Sequence, residues 1–65
     1  MGSSKDFAIR YLKAIEKKHE AYFIANNLDI MDCVELRGTL LVRVHITNQS
    51  LPYEIVKDIE SMFWK

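Results

Sequence analysis

The chain has 65 residues, of which 49% are hydrophobic and 11% aromatic, and its formal net charge is zero. That length predicts one domain over residues 1–65, and so apolar a composition excludes an intrinsically disordered protein. The neutral balance argues against a general nucleic-acid binder, which usually has a basic surplus, and no apolar run approaches a transmembrane length, so we expect no membrane association.

The first predicted element is a helix over about residues 4–25, which Asn26 and Asn27 can end, because asparagine tolerates the left-handed conformation after a helix. Apolar residues recur there with helical spacing. They include Ala8, Tyr11, Leu12, Ile15, His19, Tyr22 and Phe23. A second set widens this apolar arc: Phe7, Ala14, Ala21 and Ala25. A hairpin and one short helix cannot cover so broad an arc, so we expect the second set to mediate self-association.

The next predicted element is a β-hairpin over about residues 28–47, since apolar residues fall on even positions with the period of two that strands show. Residues that face each other across a hairpin share one face, so the numbers of paired residues must add to an even value. A three-residue loop over residues 36–38 satisfies this parity. It pairs Val34 with Leu40 and Asp29 with His45.

The last predicted element is a helix over about residues 52–64, with Pro52 in its first turn. One apolar stripe runs along it: Ile55, Val56, Ile59, Met62 and Phe63. The predicted fold is therefore a small α+β domain of α-β-β-α order, with two helices packed on one face of the hairpin. Both hairpin edges would be free, and a dimer that joined two hairpins would form a four-stranded sheet.

The predicted binding surface is the outer face of the hairpin. An apolar centre inside a charged rim is typical of interfaces, and exposed aromatic residues often anchor them. The residues assigned to this surface are Met31, Cys33, Leu41, Arg43, His45, Tyr53 and Trp64. We therefore expect a non-enzymatic regulatory or protein-interaction module, homodimeric, that docks an apolar patch on an unidentified partner protein.

Two alternatives use other side chains. Arg10, Lys13 and Lys17 form a basic ridge that could contact phosphates, as in a small nucleic-acid-binding regulator. His45 and Arg43, with a carboxylate opposite, could cleave a phosphodiester by general acid–base catalysis. The stretch Val42 to Phe63 resembles the end of HicA-type mRNA-interferase toxins, but the Gly-Ser-His-type motif of that family is missing, so the resemblance assigns no residue.

The remaining candidates for chemistry favour structural roles. Cys33 is the only cysteine, and a small buried or interfacial hydrophobe is the favoured interpretation over a nucleophile. His19 lies in the apolar arc and is interpreted as a core or interface histidine with one hydrogen bond. No zinc-ligand spacing and no signal peptide are visible, so we expect no cofactor and a cytoplasmic protein with a reduced Cys33.

Overall fold

A computed structural model describes residues 4–38 and 42–63, which form a mixed α+β domain, as the sequence predicts. Its elements in chain order are α1 (Ser4–Lys18), α2 (Glu20–Ala25), a 3-10 turn (Ile30–Asp32), β1 (Val34–Arg37), β2 (Arg43–Ile46) and α3 (Tyr53–Phe63). The two strands form an antiparallel hairpin. Within the described residues, no helix combines the length and the apolar character needed to cross a bilayer.

The predicted first helix is interrupted at His19, where φ is −108° and ψ is 32°. The prediction of one continuous helix over residues 4–25 is therefore wrong at this position, although both boundaries hold. The end of α2 is a Schellman motif: the Leu28 N–H donates to the Phe23 carbonyl at 2.9 Å and the Asn27 N–H to the Ile24 carbonyl at 3.1 Å. Asn27 takes the left-handed conformation that this motif requires, with φ at 52°.

Residues 28–33 form a loop and a 3-10 turn instead of the predicted first half of a strand. Two carboxylates bind the backbone donors that a strand would have used. The Asp29 side chain accepts from the Met31 N–H, and Glu16 on α1 accepts from the Ile30 N–H, both at 2.8 Å. Such local bonds from side chain to backbone compete with sheet pairing.

The hairpin has the predicted parity but not the predicted register. Val34 pairs with Ile46 and Leu36 with Val44, so the partner numbers add to 80, an even value. Even positions face inward and the odd positions 35, 37, 43 and 45 are exposed. The predicted pairs of Val34 with Leu40 and Asp29 with His45 are wrong, because Val34 pairs with Ile46 and His45 with Glu35, and β1 begins only at Val34.

The core lies between the helices and the inner face of the hairpin, and every described element except β2 contributes to its main buried cluster. The members of that cluster are Leu12, Ile15, Phe23, Ile30, Cys33, Val34, Leu51, Ile55 and Ile59. Val44 and Ile46 of β2 pack against it while staying half-buried. The Pro52 carbonyl accepts from the N–H groups of Ile55 and Val56, which fixes the start of α3 beside the sheet.

Candidate binding site

The free edge of β2 is the first part of the candidate site. β1 pairs with one edge of β2, and no other described strand lies along the opposite edge. The Thr47 N–H donates to the Cys33 carbonyl at 2.9 Å, so these two residues continue the register as a hydrogen-bonded pair. In an antiparallel hairpin, such pairs alternate with pairs whose backbone N–H and C=O groups point away from the partner strand. Val44 and Ile46 therefore direct their backbone N–H and C=O groups to the free edge.

A groove of about 340 Å³ runs beside β2 and is closed on its other side by α3. No residue of β1 lines this groove, so it lies on the open side of the hairpin. Its apolar lining residues are Val44, Ile46, Val56 and Ile59, and its polar ones are His45, Asn48, Gln49 and Glu60. An unpaired strand edge next to an apolar groove is the arrangement that takes up an extended peptide as an added strand.

Charged side chains cover the outer face of the hairpin. Glu35 lies opposite His45, and Arg37 lies opposite Arg43. Glu35 accepts a hydrogen bond from Arg37, and this bond, with the arginine's charge, holds the pKa of the Glu35 carboxyl below its ordinary value. Arg43 forms no ion pair with any residue that the structure describes. Of the two arginines that face each other, Arg37 is thus neutralised by Glu35, whereas Arg43 is not neutralised by any described residue.

The same geometry weakens the ribonuclease alternative. The carboxylate beside His45 is Glu35, not the predicted Asp29. A carboxylate whose pKa is lowered by Arg37 is a poor general base at neutral pH. Both Glu35 and His45 are exposed, and Glu35 does not line the groove, so this pair does not form a desolvated reaction site.

The predicted outer-face patch is wrong at its centre. Cys33 is 1% exposed and belongs to the core, because the 3-10 turn ends there and directs its side chain inward. Its Sγ lies 3.5 Å from both the Asp29 carbonyl oxygen and Asn48 Nδ2. Met31 is half-buried against the core. Arg43 and His45 are exposed as predicted, and Tyr53 is 75% exposed at the start of α3.

Leu41 and Trp64, the other two residues assigned to that patch, lie outside the described residues. The residues that sequence reasoning missed are Val44, Ile46 and Val56, which line the groove. The inward parity of Val44 and Ile46 and the place of Val56 on the apolar stripe of its helix were visible in the sequence. The position of the groove was not, because it depends on which edge of the hairpin α3 leaves uncovered.

The predicted self-association set remains on the surface. Phe7 is 60% exposed, and Ala14, Ala21 and Ala25 are exposed as well. The break at His19 divides this set between two helices, so the four residues do not form one straight stripe. Self-association through them stays a prediction, which a mass measurement proposed below tests.

The predicted basic ridge is partly neutralised. Lys13 Nζ lies 3.6 Å from a carboxylate oxygen of Glu16 and 3.6 Å from one of Asp29. Arg10 and Lys17 are exposed and form no ion pair within the described part of the chain. The ridge therefore offers two open cations rather than three.

Among the described residues, no three histidine, cysteine, aspartate or glutamate side chains are grouped so that they could hold a metal ion. No protein-family model, curated protein or solved structure matches this chain.

Proposed function

We propose that this protein is a small, non-enzymatic protein-interaction module that binds an extended segment of a partner protein along β2. The observation that carries the proposal is the outward direction of the Val44 and Ile46 backbone groups beside the groove closed by α3. Main-chain hydrogen bonds to the edge would supply affinity. The groove would select the partner's side chains at every second position.

Charge defines the chemistry of the partner. A strand added to β2 would direct alternate side chains into the apolar groove and the others onto the outer face, next to Arg43 and His45. Arg43 has no ion-pair partner among the described residues. Opposite charges on neighbouring strands stabilise a sheet. The segment that fits best therefore alternates apolar with acidic residues.

A second copy of β2 fits this edge less well. If two β2 strands paired antiparallel, their apolar inner faces would have to lie on the same side of the joined sheet. This condition allows a two-fold axis at Val44 or at His45. With Val44 on the axis, Arg43 would face His45 of the other copy. With His45 on the axis, the two His45 residues would face each other. Neither register sets a carboxylate opposite Arg43, which favours a partner that is a different protein.

The test uses an acetylated eight-residue peptide of alternating valine and glutamate, with lysine in place of glutamate as its charge-reversed control. We expect the acidic peptide to bind, with NMR shift changes at residues 43–46 and at Val56, and the basic peptide to bind at least about tenfold more weakly. Equal binding of the two peptides, or no binding of the acidic one, would contradict the proposal. Light scattering on the free protein tests in parallel the homodimer that the sequence predicts and that the charges along β2 disfavour.

Matched variants locate the bound edge. Val44→Pro removes an N–H that the hairpin itself does not use and should abolish peptide binding, while Val44→Ala loses similar packing but keeps the N–H and should bind. Arg43→Ala should weaken binding more than Arg37→Ala, because Arg37 lies on β1 and is neutralised by Glu35. Binding by the proline variant at the level of the alanine variant would exclude the edge of β2.

A further inference from the structure

The exposed side of α1 carries an apolar surface that the core does not use. Phe7 is 60% and Tyr11 45% exposed, and their rings contact each other with centroids 5.0 Å apart. Ala14 continues this row one turn further on and is also exposed. Phe7, Tyr11 and Ala14 together form the α1 stripe. A different side of the same helix packs into the core, and Leu12 on that side is fully buried.

Two open cations lie beside the α1 stripe. Arg10 and Lys17 share one side of the helix two turns apart, about 10 Å along its axis. Neither forms an ion pair among the described residues, whereas Lys13 contacts two carboxylates and Lys18 Nζ lies 3.0 Å from Asp58 Oδ2. The stripe therefore has an aromatic centre and, on one flank, two cations that form no ion pair among the described residues, with Asp6 one turn before Arg10 on the same side.

We propose that the α1 stripe, with Arg10 and Lys17, binds an acidic amphipathic helix of a partner protein. Phe7 and Tyr11 would contact the apolar face of that helix, and the small Ala14 side chain would let the two backbones approach closely. Acidic residues two turns apart on the incoming helix would match Arg10 and Lys17. This surface is separate from the β2 edge, so the inference does not depend on the function proposed above.

The charges also argue against two other ligands for the α1 stripe, a second copy of this chain and a nucleic acid. A second copy packed antiparallel on the α1 stripe would set the Arg10 residues of the two chains beside each other, which is repulsive. A nucleic acid would need the whole ridge, but Lys13 is already engaged by Glu16 and Asp29. An acidic helix uses both the open cations and the aromatic stripe.

The test measures the binding of three labelled probes by fluorescence anisotropy. The first is a helical peptide of leucine, alanine and glutamate, with glutamates two turns apart on one flank. The second is the same peptide with lysine in place of glutamate, and the third is a single-stranded RNA of about 20 nucleotides. We expect the acidic peptide to bind at least about tenfold more tightly than the basic one. Tighter binding of the RNA, or a dimer in light scattering that Phe7→Ala dissociates, would overturn the assignment.

Variants of the exposed residues Phe7, Tyr11, Arg10 and Lys57 keep the result interpretable, because none of these four side chains belongs to the core. Phe7→Ala or Tyr11→Ala should weaken binding of the acidic peptide by about tenfold, and Arg10→Glu by at least as much. Lys57→Glu, an equal change of charge at an exposed position of α3, should have little effect, and so should Val44→Pro. Equal losses for Arg10→Glu and Lys57→Glu would show non-specific attraction and contradict the proposal.

Discussion

The imidazole Nε2 of His19, at the break between α1 and α2, donates a hydrogen bond of 2.7 Å to the Asp58 carboxylate on α3. Lys18 Nζ lies 3.0 Å from the same oxygen. This contact joins residues 39 positions apart and ties the helix break to the helix that closes the groove. His19 is thus the half-buried histidine with one hydrogen bond that its place in the apolar arc predicted.

Loss of this bond should destabilise the fold. We expect His19→Ala to lower the free energy of unfolding by about 1–2 kcal/mol, since the bond is charge-assisted and the imidazole is only 16% exposed. His45→Ala, at an exposed position, should change it by less than about 0.5 kcal/mol. Urea unfolding at neutral pH measures both variants, and equal effects would show that the His19–Asp58 bond contributes nothing.

The same contact predicts how stability depends on pH. The hydrogen bond from His19, followed by that from Lys18, lowers the pKa of the Asp58 carboxyl below its ordinary value of 3.8. Because the folded-state pKa is the lower one, the stabilisation is complete above the unfolded-state pKa and is lost as pH falls through the folded value. Asp58→Asn should therefore be less stable than the parent at pH 7, by a margin that shrinks at acid pH.

The control for this pH series is Glu60→Gln, which removes an exposed carboxylate of α3 that forms no ion pair with a described residue. Urea unfolding of both variants and the parent between about pH 7 and pH 2.5 gives the comparison. A difference between Asp58→Asn and the parent that stays constant down to the lowest pH would refute the role assigned to Asp58.

The bond from the Ile30 N–H to Glu16 predicts a second stabilising contact. Ile30 is fully buried, so Glu16→Ala should leave its N–H without a partner and lower the free energy of unfolding by about 1–2 kcal/mol. Glu16→Gln keeps an acceptor oxygen and should lose less. Glu20→Ala, at an exposed position of α2, is the control for helix charge. Thermal unfolding of the three variants should rank them with Glu16→Ala lowest.

The burial of Cys33 predicts slow thiol chemistry. The native protein should react with an aromatic disulfide reagent at least about a hundredfold more slowly than the protein unfolded in urea, because the thiol must first be exposed by local opening. Absorbance of the released thiolate follows both rates. A native rate close to the unfolded one would instead place Cys33 on the outer face of the hairpin.

Period-two alternation was enough to predict which side of the hairpin each strand residue faces, and the exposure of Arg43 and His45 follows from it. It could not fix the register, because every pairing with an even sum satisfies the same pattern. Nor could it show that residues 28–33 lie outside the strand. Their backbone N–H groups at Ile30 and Met31 donate to the side chains of Glu16 and Asp29, and Glu16 is distant in sequence. Ile30 and Cys33 are both buried at a spacing of three, which suits a 3-10 turn.

The contacts that position α3 were even harder to predict from the neighbouring sequence. The helical pattern continues through His19 without glycine or proline, so nothing in the sequence indicates a break there. Asp58 lies away from the apolar stripe of its helix and looks like a solvated residue. Only the histidine in the apolar arc, which needs a polar partner, pointed to a contact of this kind.

The free edge of β2 also bears on how the protein stays dispersed. An uncovered strand edge is a common starting point for aggregation, and natural proteins often guard such edges with charge. Arg43 and His45 stand on β2, whose open edge adjoins the groove. The positive charge of Arg43, which would select an acidic partner, would thus also discourage stacking of copies during synthesis, when many identical edges are present together.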